Sequence, residues 1–141
     1  MANEISVQSS LRVTADNVQW NGRPVSFQAD MTGRIGPTPG SVIVPTAGVE
    51  ISLAQLTQPG MVQFTNQDET NYVEVGIREP ATGYFYPFLE LLPGESYVMR
   101  FSRNLLEEYQ GTGTATSAPT NQLWAKANSD SVSLFVGAFE T

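Results

Sequence analysis

Any chemistry in this chain falls to carboxylates, because its 141 residues include neither histidine nor cysteine. Without imidazole there is no side chain that titrates near neutrality unaided, and the usual general base is missing. Serine–histidine and cysteine–histidine nucleophilic pairs are excluded, as are disulfides and zinc, copper or iron held by imidazole or thiolate. Two carboxyls facing each other across a cleft can still hydrolyse a glycosidic bond. The residues of the right type are Glu50, Asp68, Glu69, Glu74, Glu90, Glu107 and Glu108.

Their surroundings point to other work. Glu74 and Glu90 alternate with apolar residues, which is the pattern of solvent-facing positions on a half-buried strand. Asp68-Glu69 reads as a loop cap, since a calcium loop would carry an Asp-x-Asp-x-Asp-Gly run that is absent here. Glu107-Glu108 reads as the wet side of a helical turn. Gly111-Thr112-Gly113-Thr114 has the glycines of a phosphate cradle but no lysine after it, so it reads as loop. The expectation is a non-enzymatic protein with no cofactor and no metal.

Charge narrows the partners. Fourteen acidic residues against seven basic ones give a net charge of -7. The bases (Arg12, Arg23, Arg34, Arg78, Arg100, Arg103 and Lys126) are scattered, whereas a nucleic-acid surface gathers its cations on one face. No nucleic-acid contact is expected, and anionic membranes would repel the chain. No apolar run approaches the ~20 residues of a membrane span. Met1 to Ser6 lacks the basic and apolar stretches of a signal peptide, so synthesis in a cytoplasm and a soluble product are expected.

The elements that position these groups read almost wholly as strands. Ile5, Val7, Ser9, Leu11 and Val13 alternate with polar residues and predict one half-buried strand. Asp16-Asn17 reads as a turn, and Trp20 precedes Asn21-Gly22, the strongest hairpin signal in the chain. Val25, Phe27 and Ala29 form the returning strand. Thr32 to Gly40 is loop by composition, carrying Ile35 and either linking the hairpin to the rest or forming an extended arm. Further strands are expected over residues 41–44, 49–53, 61–66, 72–77, 84–92, 96–101, 123–127 and 132–139, with one short helix over 104–109 and loop over 111–120. Nine or ten short strands at this spacing predict an all-β single domain spanning 1–141, a β-sandwich or jelly-roll-like barrel. Within it, 1–31 is the N-terminal hairpin, 32–48 a Gly/Pro-rich loop region, and 49–141 the main sandwich.

Two aromatic features stand apart. Along Tyr84-Phe85-Tyr86-Pro87-Phe88 an extended chain is apolar on both faces, so a second surface must cover what the core does not. That cover is a loop of the same chain, a subunit interface or a sugar stacked on the rings. Pro87 removes a ladder donor and predicts an edge strand or a bulge. Trp20 is either core beneath the hairpin or an exposed anchor.

From Gly60 onward the succession Gly60-Met61-Val62-Gln63-Phe64-Thr65-Asn66-Gln67-Asp68-Glu69-Thr70-Asn71-Tyr72-Val73-Glu74-Val75-Gly76, then Phe85 to Glu95, then Leu123 to Val132, resembles small β-rich structural proteins of tailed bacteriophages. Residues before about 55 have no counterpart in that resemblance. It implies a virion component and brings no catalytic residues. The expected function is a capsid decoration (cement) protein or other head or tail accessory subunit, located in the virion. Its expected partners are the major capsid protein or another virion protein and further copies of itself, most simply a trimer. A carbohydrate-binding module of a receptor-recognition apparatus is the alternative. Ile5, Val7, Leu11, Trp20, Ile35, Tyr84, Tyr86 and Phe88 are the candidate interface residues.

Overall fold

The turn chemistry and period-two runs are realised as strands in a computed structural model, which describes residues 3–33, 35–109, 115–119 and 121–141. Eight strands build two four-stranded antiparallel sheets. They are β5 (Thr38–Val44), β6 (Val49–Glu50), β7 (Pro59–Asn66), β8 (Val73–Arg78), β9 (Phe85–Leu91), β10 (Ser96–Arg100), β13 (Gln122–Ala127) and β14 (Val132–Glu140). One sheet runs β10-β7-β14-β5 and the other β6-β13-β8-β9. The pairs nest: β5 with β14, β6 with β13, β7 with β10 and β8 with β9, alternate pairs going to opposite sheets. That is one long hairpin rolled upon itself, the jelly-roll form of a sandwich.

Alternation explains the core. Val62, Phe64, Val132, Leu134 and Val136 point inward from one sheet, and Val73, Val75, Leu91, Leu123 and Ala125 from the other, all fully or nearly fully buried. Burying each large aliphatic or aromatic side chain stabilises the fold by about 1.5–3 kcal/mol. Phe101 closes one end edge-on against Phe64, with centroids 6.2 Å apart and planes at 67°. At the other end the buried Asn66 side chain donates to the carbonyls of Asn71 (2.9 Å) and Leu91 (3.0 Å) and accepts from Asp68 N–H (2.9 Å). It ties the end of β7 to the start of β8 and the end of β9.

The N-terminal segment folds apart from this sandwich. β1 (Ile5–Ser9) pairs with β4 (Val25–Ala29), and β2 (Arg12–Thr14) with β3 (Gln19–Asn21), as outer and inner halves of one hairpin. Among the described residues, no strand of this arm pairs with a sandwich strand. The tip turns at Asp16-Asn17, as expected, where Ala15 and Val18 exchange backbone bonds of 2.8 and 3.2 Å. Asn21-Gly22 is not the hairpin turn. It sits opposite the break at Ser10-Leu11, where Gly22 N–H meets Leu11 O at 2.8 Å and a Cβ on Gly22 would lie 2.6 Å from that oxygen. The glycine is needed for close approach, and the strand expected from Ile5 to Val13 is kinked into two.

Other boundaries move as well. Thr38 to Gly40, expected as loop, pairs with Ala138 to Val136 and begins the sandwich. No helix forms over 104–109: the chain turns with Leu105 N–H on Ser102 O and then enters β11 (Glu107–Tyr109). Leu105 and Leu106 pack against the core, so burying two adjacent leucines outweighs helical propensity. β12 (Ala115–Pro119) pairs with β11 where loop was expected, and Gly111-Thr112-Gly113-Thr114 lies outside the described residues. Kinks and these short pairs bring the described strands to fourteen, above the nine or ten expected.

β9 is an edge strand with a bulge, as Pro87 predicts. Val75 pairs with Leu89 and Gly76 with Pro87, leaving Phe88 as the extra residue. A Cβ on Gly76 would lie 2.2 Å from Tyr86 O and 2.5 Å from Pro87 Cα. Gly76→Val should therefore push β9 off β8 and cost about 2–3 kcal/mol in urea unfolding. A loss below about 0.5 kcal/mol would show that β9 is not seated as described.

Candidate protein-binding surfaces

The structure disperses the candidate carboxylates. Glu74 stands opposite both Glu90 and Lys126 on the outer face of the second sheet. Glu50 and Glu107 are the pair of candidates that share a cavity, an open cleft of ≈ 630 Å³ at the end of the sandwich. There Glu50 Oε2 accepts from Gln122 Nε2 at 3.2 Å, and Gln122 Oε1 in turn accepts from Arg78 Nη1 at 3.1 Å. The Arg78 guanidinium lies 4.7 Å from the Trp124 ring centroid, so this polar row props the outer face of the sheet. Among the described residues no three carboxylates gather to hold a metal ion.

Asp68 is the loop cap expected. Its Oδ2 accepts the N–H of Thr70 (2.9 Å) and of Asn71 (2.6 Å), and those two backbone bonds hold its carboxyl below the usual aspartate range. A lowered carboxyl stabilises the fold fully above the ordinary aspartate value of about 3.9, and loses that contribution as pH falls through the lowered one. Asp68→Asn should thus be less stable than the parent at neutral pH, and the gap should close in strong acid. A gap independent of pH in thermal melts would remove the charge from the explanation.

Apolar residues show the opposite behaviour, because they are concentrated. Among the described residues fourteen large hydrophobic side chains are exposed, and six of them lie on the arm: Leu11, Val13, Val18, Trp20, Val25 and Phe27. Leu11 is 65% exposed and Trp20 60%, so Trp20 is exposed and not core beneath the hairpin. Val13 and Trp20 stand directly opposite each other, as do Val7 and Phe27. The arm is held shut at its base, where Asn3 N–H donates to Asp30 Oδ1 (2.6 Å) and Met31 N–H to Glu4 Oε2 (3.3 Å).

Six more, Tyr84, Tyr86, Phe88, Leu92, Tyr97 and Val98, follow one another along β9, the turn at Pro93-Gly94 and β10. β9 and β10 are edge strands of the two sheets, so this band runs down one side of the sandwich. Among the described residues no loop covers this stretch: Tyr84 is 61% exposed, and Tyr86 and Phe88 are exposed as well.

Of the candidate interface residues, Leu11 and Trp20 fall together on the arm, and Tyr84, Tyr86 and Phe88 together on the band. Ile35 is exposed in the segment joining arm to sandwich, Ile5 is half-buried, and Val7 is buried. The sequence reading missed Val18, Val25, Phe27, Leu92, Tyr97 and Val98. Strand period alone assigns a face to such residues but not whether another layer covers it.

Glu140 was also missed. It is buried at the end of β14, accepts the Thr57 N–H, and lies where any side chain on Gly33 would have to go. It ties the end of β14 to the loop at Thr57 and packs closely on Gly33 at the foot of the arm, and a near-terminal Glu gives no sequence signal of that.

In comparisons with known proteins, no family model, no curated protein and no solved structure matched this chain. Among the described residues no helix is long and apolar enough to cross a membrane.

Proposed function

We propose that this protein is a non-enzymatic adhesive subunit of a virus particle, most simply a cement protein that grips the shell through its N-terminal arm and the β9–β10 band. One observation carries this: among the described residues, twelve of the fourteen exposed large hydrophobic side chains lie on those two surfaces. Apolar patches of this kind mark interaction sites. A two-stranded hairpin is also only marginally stable alone in water, so an arm built this way gains order when something covers it. The sequence resemblance to phage structural proteins supplies the virion context, and jelly rolls serve in viral shells and lectins alike, which supports the setting by analogy only.

The mechanism is mechanical. A stable contact buries ~800 Å² on each partner, and repetition over a lattice turns modest affinities into avidity. Co-sedimentation with undecorated shells tests the reading: saturable binding is expected, and a chain left wholly in the supernatant overturns it. A glycan array is the contrasting experiment, since binding to one sugar through the exposed tyrosines would favour the carbohydrate-recognition alternative.

A further inference from the structure

We infer that the arm of one copy docks on the β9–β10 edge of a second copy, its β4 strand pairing with β10. This deepens the adhesive reading above and rests on it, naming a second copy of this chain as one partner of both surfaces.

Edge strands show where a strand can be added. Four stand at the margins of the sandwich: β5, β6, β9 and β10. Proteins blunt such edges with proline, bulges or very short strands. β5 contains Pro39, β6 has two residues, and β9 has both Pro87 and a bulge. β10, Ser-Tyr-Val-Met-Arg, has none of these.

Its free groups can be named. Asn66 N–H bonds Glu95 O at one end of the β7–β10 ladder, and Phe101 N–H bonds Gly60 O at the other. Antiparallel partners alternate, so Tyr97 and Met99 face β7, while the N–H and C=O of Ser96, Val98 and Arg100 point away from it. Among the described residues no strand meets them.

The arm fits that edge in three respects. β4 pairs with β1 on one side only, leaving its other side free, and it carries Val25 and Phe27, both exposed. The arm exposes six large apolar side chains, the kind of surface that a contact of ~800 Å² per partner buries. Charge also favours arm on body over body on body. Residues 1–37 carry three acids (Glu4, Asp16, Asp30) and three bases (Arg12, Arg23, Arg34), whereas residues 38–141 carry eleven acids against four bases. Two sandwiches repel each other; a neutral arm approaches a sandwich without that opposition. Arm-into-edge contact is head to tail, which gives a ring where the rotation between copies closes, a trimer being one such ring, and a filament where it does not.

Complementation between two variants tests this. The first, Trp20→Ser with Phe27→Ser, spoils the arm and keeps the edge. The second, Val98→Pro, spoils the edge and keeps the arm; because Val98 N–H points away from β7, the substitution removes no bond of the fold. Val98→Lys is the substitute should circular dichroism show the proline variant unfolded. Light scattering at about 100 µM chain, enough to saturate a micromolar contact, should give an oligomer for the parent. Each variant alone should give the 15.3 kDa monomer. Mixed one to one, they should form a dimer, since one supplies the edge and the other the arm.

A monomeric parent overturns the inference, as does either variant that still associates by itself. Self-association of one variant means a symmetric arm–arm or edge–edge contact, and two monomers that ignore each other when mixed also overturn the inference, for then an intact arm does not dock on an intact edge. Shell co-sedimentation separates this from the adhesive reading. A monomer that still binds shells sinks the inference alone, and an oligomer that ignores them sinks the virion role alone.

Discussion

Asn66→Asp should destabilise the sandwich by about 3–5 kcal/mol, a large part of the 5–15 kcal/mol that holds a domain of this size together. The two side chains have nearly the same shape, so packing is unchanged and the effect comes from lost hydrogen bonds and a buried charge. Asn66 Nδ2 donates to two carbonyls, of Asn71 and Leu91, and the residue is 1% exposed. An aspartate there replaces both donors with a carboxylate oxygen facing carbonyl oxygens, without water to compensate. Urea unfolding at pH 7 reads the loss directly. The backbone bonds of the same residue, to Glu95 and Gly94, hold the turn between β9 and β10, so the variant should also loosen the apolar band before the whole fold melts. A change below about 1 kcal/mol would mean that Asn66 is not the clamp described here.

The second large effect is on binding and leaves stability alone. Leu11→Ser, Trp20→Ser and Phe27→Ser together should weaken binding to the protein's target at least ~100-fold, or about 2.7 kcal/mol, because buried aromatic anchors dominate such contacts. The same triple change should move the urea midpoint of the sandwich little, since none of the three belongs to the core cluster. Serine keeps the strand conformation open to the hairpin while removing the apolar surface. A triple variant that binds like its parent would take the arm out of the account. One that unfolds the sandwich would show the arm to be a structural layer.

How far the sequence spoke depends on which physical signal each element carries. β7, β8, β9, β13 and β14 combine alternation with flanking turn residues, and all five are legible to within a residue or two. Pro87 announces its edge and bulge because a missing donor has few other places in a sheet. Thr38 to Gly40 misleads because two prolines and two glycines around it mimic a loop, although an edge strand needs donors on one side only. Asn21-Gly22 misleads in a similar way: the dipeptide favours a turn, but here its glycine serves the approach to Leu11 O. The short helix over 104–109 fails since local propensity yields to burial of Leu105 and Leu106.

The candidate surfaces were half legible. Trp20, Leu11 and the tyrosines of β9 stand out by type, but Val25, Phe27, Tyr97 and Val98 look like ordinary core residues of an alternating strand. Val25 and Phe27 are bare because the arm stands outside both sheets, and Tyr97 and Val98 are exposed on an edge strand that no described strand flanks on its outer side. Alternation predicts that a face is apolar; it does not say what is on the other side.

Fluorescence of Trp20 tests the central claim most directly. In a Trp124→Phe background Trp20 is the sole tryptophan, since the chain contains two. Free in solution its emission should be that of a wet indole, open to acrylamide quenching, in keeping with its 60% exposure. On assembly, with a second copy or with the shell, the emission should shift to shorter wavelength and quenching should fall several-fold. If the protein is demonstrably bound and Trp20 remains as wet and as quenchable as before, the arm is not how this molecule adheres.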